Sequence, residues 1–171
     1  IATALGATRS AKAIRYLQDL LQDANEETFR AAVQAVADID HPSVADLLYR
    51  IVQRETKFSR VAYAIEALEH TKSAESLNRL VSIALEHPNQ HARNRAVHAL
   101  QHTYPSSNGE LGALLLRSVQ PEEHKALFEL ALDWMLKAEM ANWQDVFNGL
   151  ETAKRLHITN TLETARKPNS C

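Results

Sequence analysis

The sequence predicts an all-α chain, an α-solenoid of stacked antiparallel helix pairs. Three observations predict it. An apolar line is written three times at a spacing of 32 residues: Ala32-Val33-Gln34-Ala35-Val36, Ala64-Ile65-Glu66-Ala67-Leu68 and Ala96-Val97-His98-Ala99-Leu100. A second row keeps nearly the same step. Ile14, Leu17, Leu20 and Leu21 are answered by Ala45, Leu48, Ile51 and Val52, then by Leu77, Leu80, Ile83 and Ala84, at offsets of 31 and 32. Finally, only 4 Gly and 5 Pro interrupt a chain rich in Ala, Leu, Glu, Gln and Arg, the residues that lose least on entering a helix.

The elements follow in order. Ile1-Ala2-Thr3-Ala4-Leu5-Gly6 reads as the end of another copy of the stripe, closed by a helix-ending glycine. Thr8 and Ser10 offer the next helix start, and that helix runs to about Asp23. Asn25 caps the first stripe helix, with Glu26 and Glu27 in the first turn where negative charge suits the helix dipole. That helix carries Phe29 and ends near Asp40. His41-Pro42 breaks the chain and opens the second unit. Arg54-Glu55-Thr56 turns into the second stripe helix; Thr71-Lys72-Ser73 opens the third unit, and Glu86-His87-Pro88-Asn89 is its inner turn. The period then lapses at the loop from Tyr104 to Gly109. Beyond it come a helix with Leu111, Leu114, Leu115 and Val119, one with Leu127, Leu130, Ala131 and Trp134, and one over Ala141–Leu156 with Trp143, Val146, Phe147 and Leu150. The tryptophans and Phe147 fit core packing at these spacings. One helical-repeat domain over 1–171 is expected: regular repeats in 1–103, divergent helices in 104–156, and a polar tail in 157–171 anchored by Ile158 and Leu162. Opening on Ile1 and ending on Cys171, the sequence reads as a piece of a longer chain.

In each stripe, residues three and four apart share one face, and alanine at two of the four positions keeps that face shallow enough for a close neighbour. The middle residue (Gln34, Glu66, His98) points away. The packing side stays constant while the open side varies.

These two-helix units resemble HEAT-like repeats, especially the short bacterial type seen in phycobilin-lyase-like proteins. The resemblance covers Ile1–His102, and its period is shorter than the ~40–47 residues of standard HEAT units. It implies a right-handed superhelix with the second helices lining the concave face, where such folds usually hold a protein partner. It also implies Asp in the inner turn and Arg near the start of the second helix. Asp23 fits the first, and Arg30, Arg60 and Arg93 lie near the second at unequal offsets from the stripe.

On that arrangement the exposed rows are Gln34, Glu66, His98; Asp38, His70, His102; and Ala31, Tyr63, Arg95. Partner binding is expected at Gln34, Tyr63, Glu66, His70, Arg95, His98 and His102, with Tyr63 and Arg95 as anchors because hot spots favour these residue types. Glu66 and Glu69 form an acidic centre beside a patch of His91, Arg95, His98 and His102. His98 and His102, four apart, could chelate a metal with His70 and Glu66, but that set depends on the inferred stack; no metal and no cofactor are expected. A net charge of -2 gives no nucleic-acid or membrane bias. There is no Gly-rich phosphate loop, nucleophile elbow or His-Glu-x-x-His, so catalysis has little support. The only cysteine is terminal, which excludes an intrachain disulfide. The expected function is a non-catalytic protein-interaction or scaffold module in a cytoplasmic setting. The alternative is a HEAT-like enzyme or enzyme subunit acting on nucleic acid or a chromophore.

Overall fold

The computed structural model describes residues 1–7, 11–103, 109–138 and 143–166. Among them are eleven helices and no strand. They fall into two compact units, Ile1–Tyr104 and Pro105–Cys171. Thr8 and Ser10, the loop residues 104–108 and the end of the expected tail lie outside the described residues.

The first unit contains α1 (Ala2–Ala7), α2 (Ala11–Leu20), α3 (Glu26–Ala37), α4 (Ser43–Arg54), α5 (Phe58–Thr71), α6 (Ala74–Glu86) and α7 (Gln90–Thr103). Helices α2 and α3, α4 and α5, and α6 and α7 pack as pairs. The second helices then stack side by side in the order α1, α3, α5, α7. The repeated stripes cause this stacking. All twelve apolar stripe residues are 6 % exposed or less, whereas Gln34, Glu66 and His98 are exposed. Each fully buried Val, Ile or Leu contributes about 1.5–3 kcal/mol.

The helix starts are set by short polar side chains. Asn25 Oδ1 accepts from the amides of Glu27 and Thr28 at 2.9 and 3.0 Å. Ser73 Oγ accepts from the Ser76 amide at 3.0 Å, and Asn89 Oδ1 from the His91 amide at 2.8 Å. At the second unit the cap differs: His41 Nδ1 accepts the Ser43 amide at 3.2 Å, with Pro42 at the N-cap. Helix α2 stops at Leu20, short of Asp23, because Gln22 and Asp23 bond three residues back, to Asp19 and Leu20.

One reading of the sequence is corrected. Gly6 does not end a helix in a left-handed turn; it lies inside α1, and no described glycine has a positive φ. A Cβ at Gly6 would fall 2.8 Å from Ala35 Cα and 2.9 Å from its carbonyl oxygen. The glycine is there so that α1 can approach the alanine stripe of α3. The left-handed position is instead Lys72, φ 51°, at the end of α5.

The second unit contains α8 (Gly109–Ser118), α9 (Lys125–Lys137), α10 (Trp143–Asn148) and α11 (Thr152–Arg166). Gly112 sits where α8 meets α9; a Cβ there would come 2.7 Å from the Ala131 carbonyl. With Gly112 and Leu116 buried, Leu114 lies on the other side of α8 and is 59 % exposed, contrary to its expected place in the stripe. Leu127, Leu130, Ala131 and Trp134 are buried as the spacing predicts, while Trp143 and Phe147 are half-buried and face each other at 5.6 Å. The stretch read as one helix over 141–156 is divided between α10 and α11, and α11 continues to Arg166 through the expected tail. Ile158 is fully buried and anchors it. Lys154 is also buried, its Nζ donating to the Arg117 carbonyl at 2.6 Å, where the C-terminal dipole of α8 favours a cation.

Candidate partner-binding groove

Because the apolar stripes face inward, the opposite faces of α3, α5 and α7 are presented together. Gln34 from α3, Glu66, Glu69 and His70 from α5, Lys72 beyond its end, and Arg95, His98, His102 and Thr103 from α7 line one groove of about 480 Å³. Six of the seven residues singled out in the sequence are brought together there. Tyr63 is not. It is half-buried, with the Arg30 guanidinium 5.3 Å from its ring centroid. Tyr63 therefore stands outside the groove lining, beside that cation. His91 is occupied as well, edge-on to Phe58 at 5.8 Å.

Neighbouring rows meet across the helices. His70 Nε2 lies 3.7 Å from Asp38 Oδ1, and Arg95 Nη2 lies 3.7 Å from Glu66 Oε2. Both pairs are long and solvated, worth at most about 1 kcal/mol each. Arg95 is only partly engaged, since its Nε is shut from solvent with no acceptor. His98 and His102, one turn apart on α7, have ring centroids 4.3 Å apart with their planes tilted by 43°. His70, Glu66, His98 and His102 do not converge as a metal site: among the described residues no three His, Cys, Asp or Glu side chains do.

The edge of the array holds residues that the sequence reading did not single out for their contacts. Arg60 starts α5 and is buried. It donates to the carbonyls of Asp23 and Ala24 in the preceding unit's inner turn at 2.6 and 3.1 Å and to Glu26 Oε2 at 3.2 Å. Its guanidinium lies 4.3 Å from the Phe29 ring centroid. Ser59 donates to Glu26 Oε1 at 2.6 Å. That hydroxyl is the main influence holding the Glu26 carboxyl below its usual 4.5; partial desolvation works against it, and Arg60 and Lys57 add to the lowering. In the third unit the link is an imidazole. His87 is buried, with Nε2 3.3 Å from the Val52 carbonyl and Nδ1 accepting the Asn89 amide. Its Nε2 therefore carries the proton and donates. Arg93 bonds the carbonyls of its own turn, His87 and Pro88, at 2.7 and 3.3 Å. The signal for Arg60 was visible only as an arginine four residues before the stripe, a position held by Ala92 in the next copy.

No helix among the described residues is long and apolar enough to cross a membrane. No curated protein matches the chain. Residues 1–62 match the family model for HEAT repeats. Such repeats generally serve as protein-interaction scaffolds. The stacked pairs of the first unit have the same all-α, HEAT-like architecture. Over residues 1–62 the chain is thus similar to HEAT repeats.

Proposed function

We propose that the chain is a non-catalytic interaction module that holds a protein or peptide partner along the open face of its second helices. The observation that carries this reading is the convergence of Gln34, Glu66, His70, Arg95, His98 and His102 on one groove. These residues are spread over 69 positions of sequence yet share a surface, while the apolar stripe residues between them are committed to packing. The groove is polar and solvated, which suits a partner held by charge and hydrogen bonds more than by apolar burial.

The reading is tested with photo-crosslinking side chains placed at Gln34 and His98, and as a control at Arg50 on α4. A partner captured at the first two positions, absent at Arg50, and lost when Arg95→Glu and His98→Glu are combined is the expected result. Capture that is equal at all three positions, or unaffected by the double substitution, overturns it.

A further inference from the structure

We infer that a second cleft, beside the groove, is a docking pocket for the lysine or arginine side chain of a basic protein segment. The cleft lies where one helix pair follows another. The linker from α3 to α4, the end of α5 and the start of α6 enclose about 450 Å³. It shares only His70 with the groove lining, and the inference does not rest on the groove reading. Floor and rim differ in chemistry. Ile39, Val44 and Ala45 close the floor and are buried, with Pro42 exposed beside them. Three exposed carboxylates, Asp38, Asp40 and Glu75, stand at the rim, and among the described residues no Lys or Arg lines the cleft. A long basic side chain suits both parts: its methylenes lie along apolar surface while its charged head reaches the carboxylates.

The fold does not use these carboxylates up. Asp38 has only the 3.7 Å contact to His70 Nε2, and among the described residues Asp40 and Glu75 have no ion pair. The cations close by in sequence are committed elsewhere. Arg79, one turn beyond Glu75 on α6, is held by Asp46 at 2.6 Å, and Lys72 lines the groove. The cleft therefore sets three carboxylates against no permanent cation, or against one when Lys72 is counted with it. Helix capping does not explain all three acids. Glu75 is in the first turn of α6, where the dipole favours a negative charge. Asp38 is the C-cap of α3, at the end where the dipole favours a positive one. Asp40 caps nothing, since the Ser43 amide at the start of α4 goes to His41 Nδ1. One period later the places of Asp38 and Asp40 hold His70 and Lys72. Only the first linker carries acids there, and a cation from a partner supplies the charge they lack.

The test titrates the whole isotope-labelled chain with three short peptides, in which Ser alternates with Arg, with Gln or with Glu. Amide correlation spectra locate the contact and give the affinity. The Arg peptide is expected to shift the amides of Asp40, His41 and Ser73, and to bind more weakly as salt is raised. Asp40→Asn/Glu75→Gln, with unchanged circular dichroism, should weaken it about fivefold or more. Glu27→Gln/Glu86→Gln removes the same charge from exposed residues outside the cleft and should leave binding unchanged. Arg95→Glu/His98→Glu, which alters the groove, should leave the Arg peptide in the cleft. Shifts confined to other residues, equal loss in the cleft variant and its charge-matched control, or equal binding of the Gln or Glu peptide overturns the inference. So does failure of the Arg peptide to bind, or its loss in the groove variant. Failure of the crosslinking test overturns the groove reading and leaves this one standing.

Discussion

Arg60→Ala separates a sheltered inter-repeat link from an exposed one. Arg60 is 7 % exposed and holds two carbonyls of the preceding turn, the Glu26 carboxylate and the Phe29 ring. A hydrogen bond to a charged group is worth about 1.5–3 kcal/mol net, but the three acceptors share one guanidinium and can rehydrate when it leaves. The ring contact adds about 1 kcal/mol. The expected loss is therefore about 3 kcal/mol, within the range for removing one member of a buried, hydrogen-bonded charge set. Lysine at this position keeps the charge and loses the fork, and should recover less than half of the loss. Arg79 is the control. It reaches Asp46 Oδ1 at 2.9 and 2.6 Å and lies 4.9 Å from the Tyr49 ring centroid, so its distances are as good. Its own side chain and that of Asp46 are solvated, at 39 % and 56 % exposure. Arg79→Ala should cost no more than about 1 kcal/mol. Urea unfolding followed by circular dichroism measures both. Equal losses for the two variants would refute the claim that shelter, more than distance, sets the value of these links.

Four further outcomes are expected. Gly6→Ala gains about 1 kcal/mol of helix propensity, but its Cβ meets Ala35 backbone that cannot turn aside, so a net loss of about 1–2 kcal/mol is expected by urea denaturation. Gly149→Ala, whose Cβ would sit at an ordinary 3.4 Å from the Asp145 carbonyl, should be neutral or slightly stabilising. Glu26→Gln should destabilise at neutral pH, and the difference from wild type should close on acidification. The folded carboxyl is held below its usual 4.5, so its stabilising effect is complete above that value and disappears as pH falls through the lower folded value. Urea midpoints measured across that window check this, and a gap that is constant with pH contradicts it. Lys72→Gly should raise the melting temperature by about 1–3 °C in differential scanning calorimetry, since φ 51° is strained for lysine.

The stripes were legible because burial is what repeats. Ala32, Ala64 and Ala96 are each fully buried at equivalent places, and a constraint imposed three times leaves its mark at a fixed spacing. The groove was legible for the complementary reason: it is the face the stripe leaves over. The place of Tyr63 outside the groove lining was not legible, because its row position says nothing of Arg30, whose guanidinium from the neighbouring helix lies by its ring. Leu114 was misjudged because the second unit has no repeat against which to align its helices; Leu111, Leu114 and Leu115 fit a helical face, but Gly112 determines which side of α8 approaches α9.

The arginines show where periodicity stops being informative. Arg60, Arg93 and Arg30 lie four, three and two residues before their stripes. Each residue step turns a helix by about 100°. Three superficially equivalent side chains are therefore aimed in three directions: back to the preceding turn, down to their own turn, and across to a neighbour's ring. Where Arg60 has no counterpart in the third copy, His87 makes the reach to the preceding pair instead. The stack requires some donor to tie each inner turn to an adjacent backbone carbonyl, and it does not require that donor to come from one position. Apolar stripes must recur at a fixed spacing because helix faces are rigid. Polar links can move by a residue or change type because long side chains make up the difference. That same freedom lets the open face of α7 dispense with acids altogether while its buried face stays like the others.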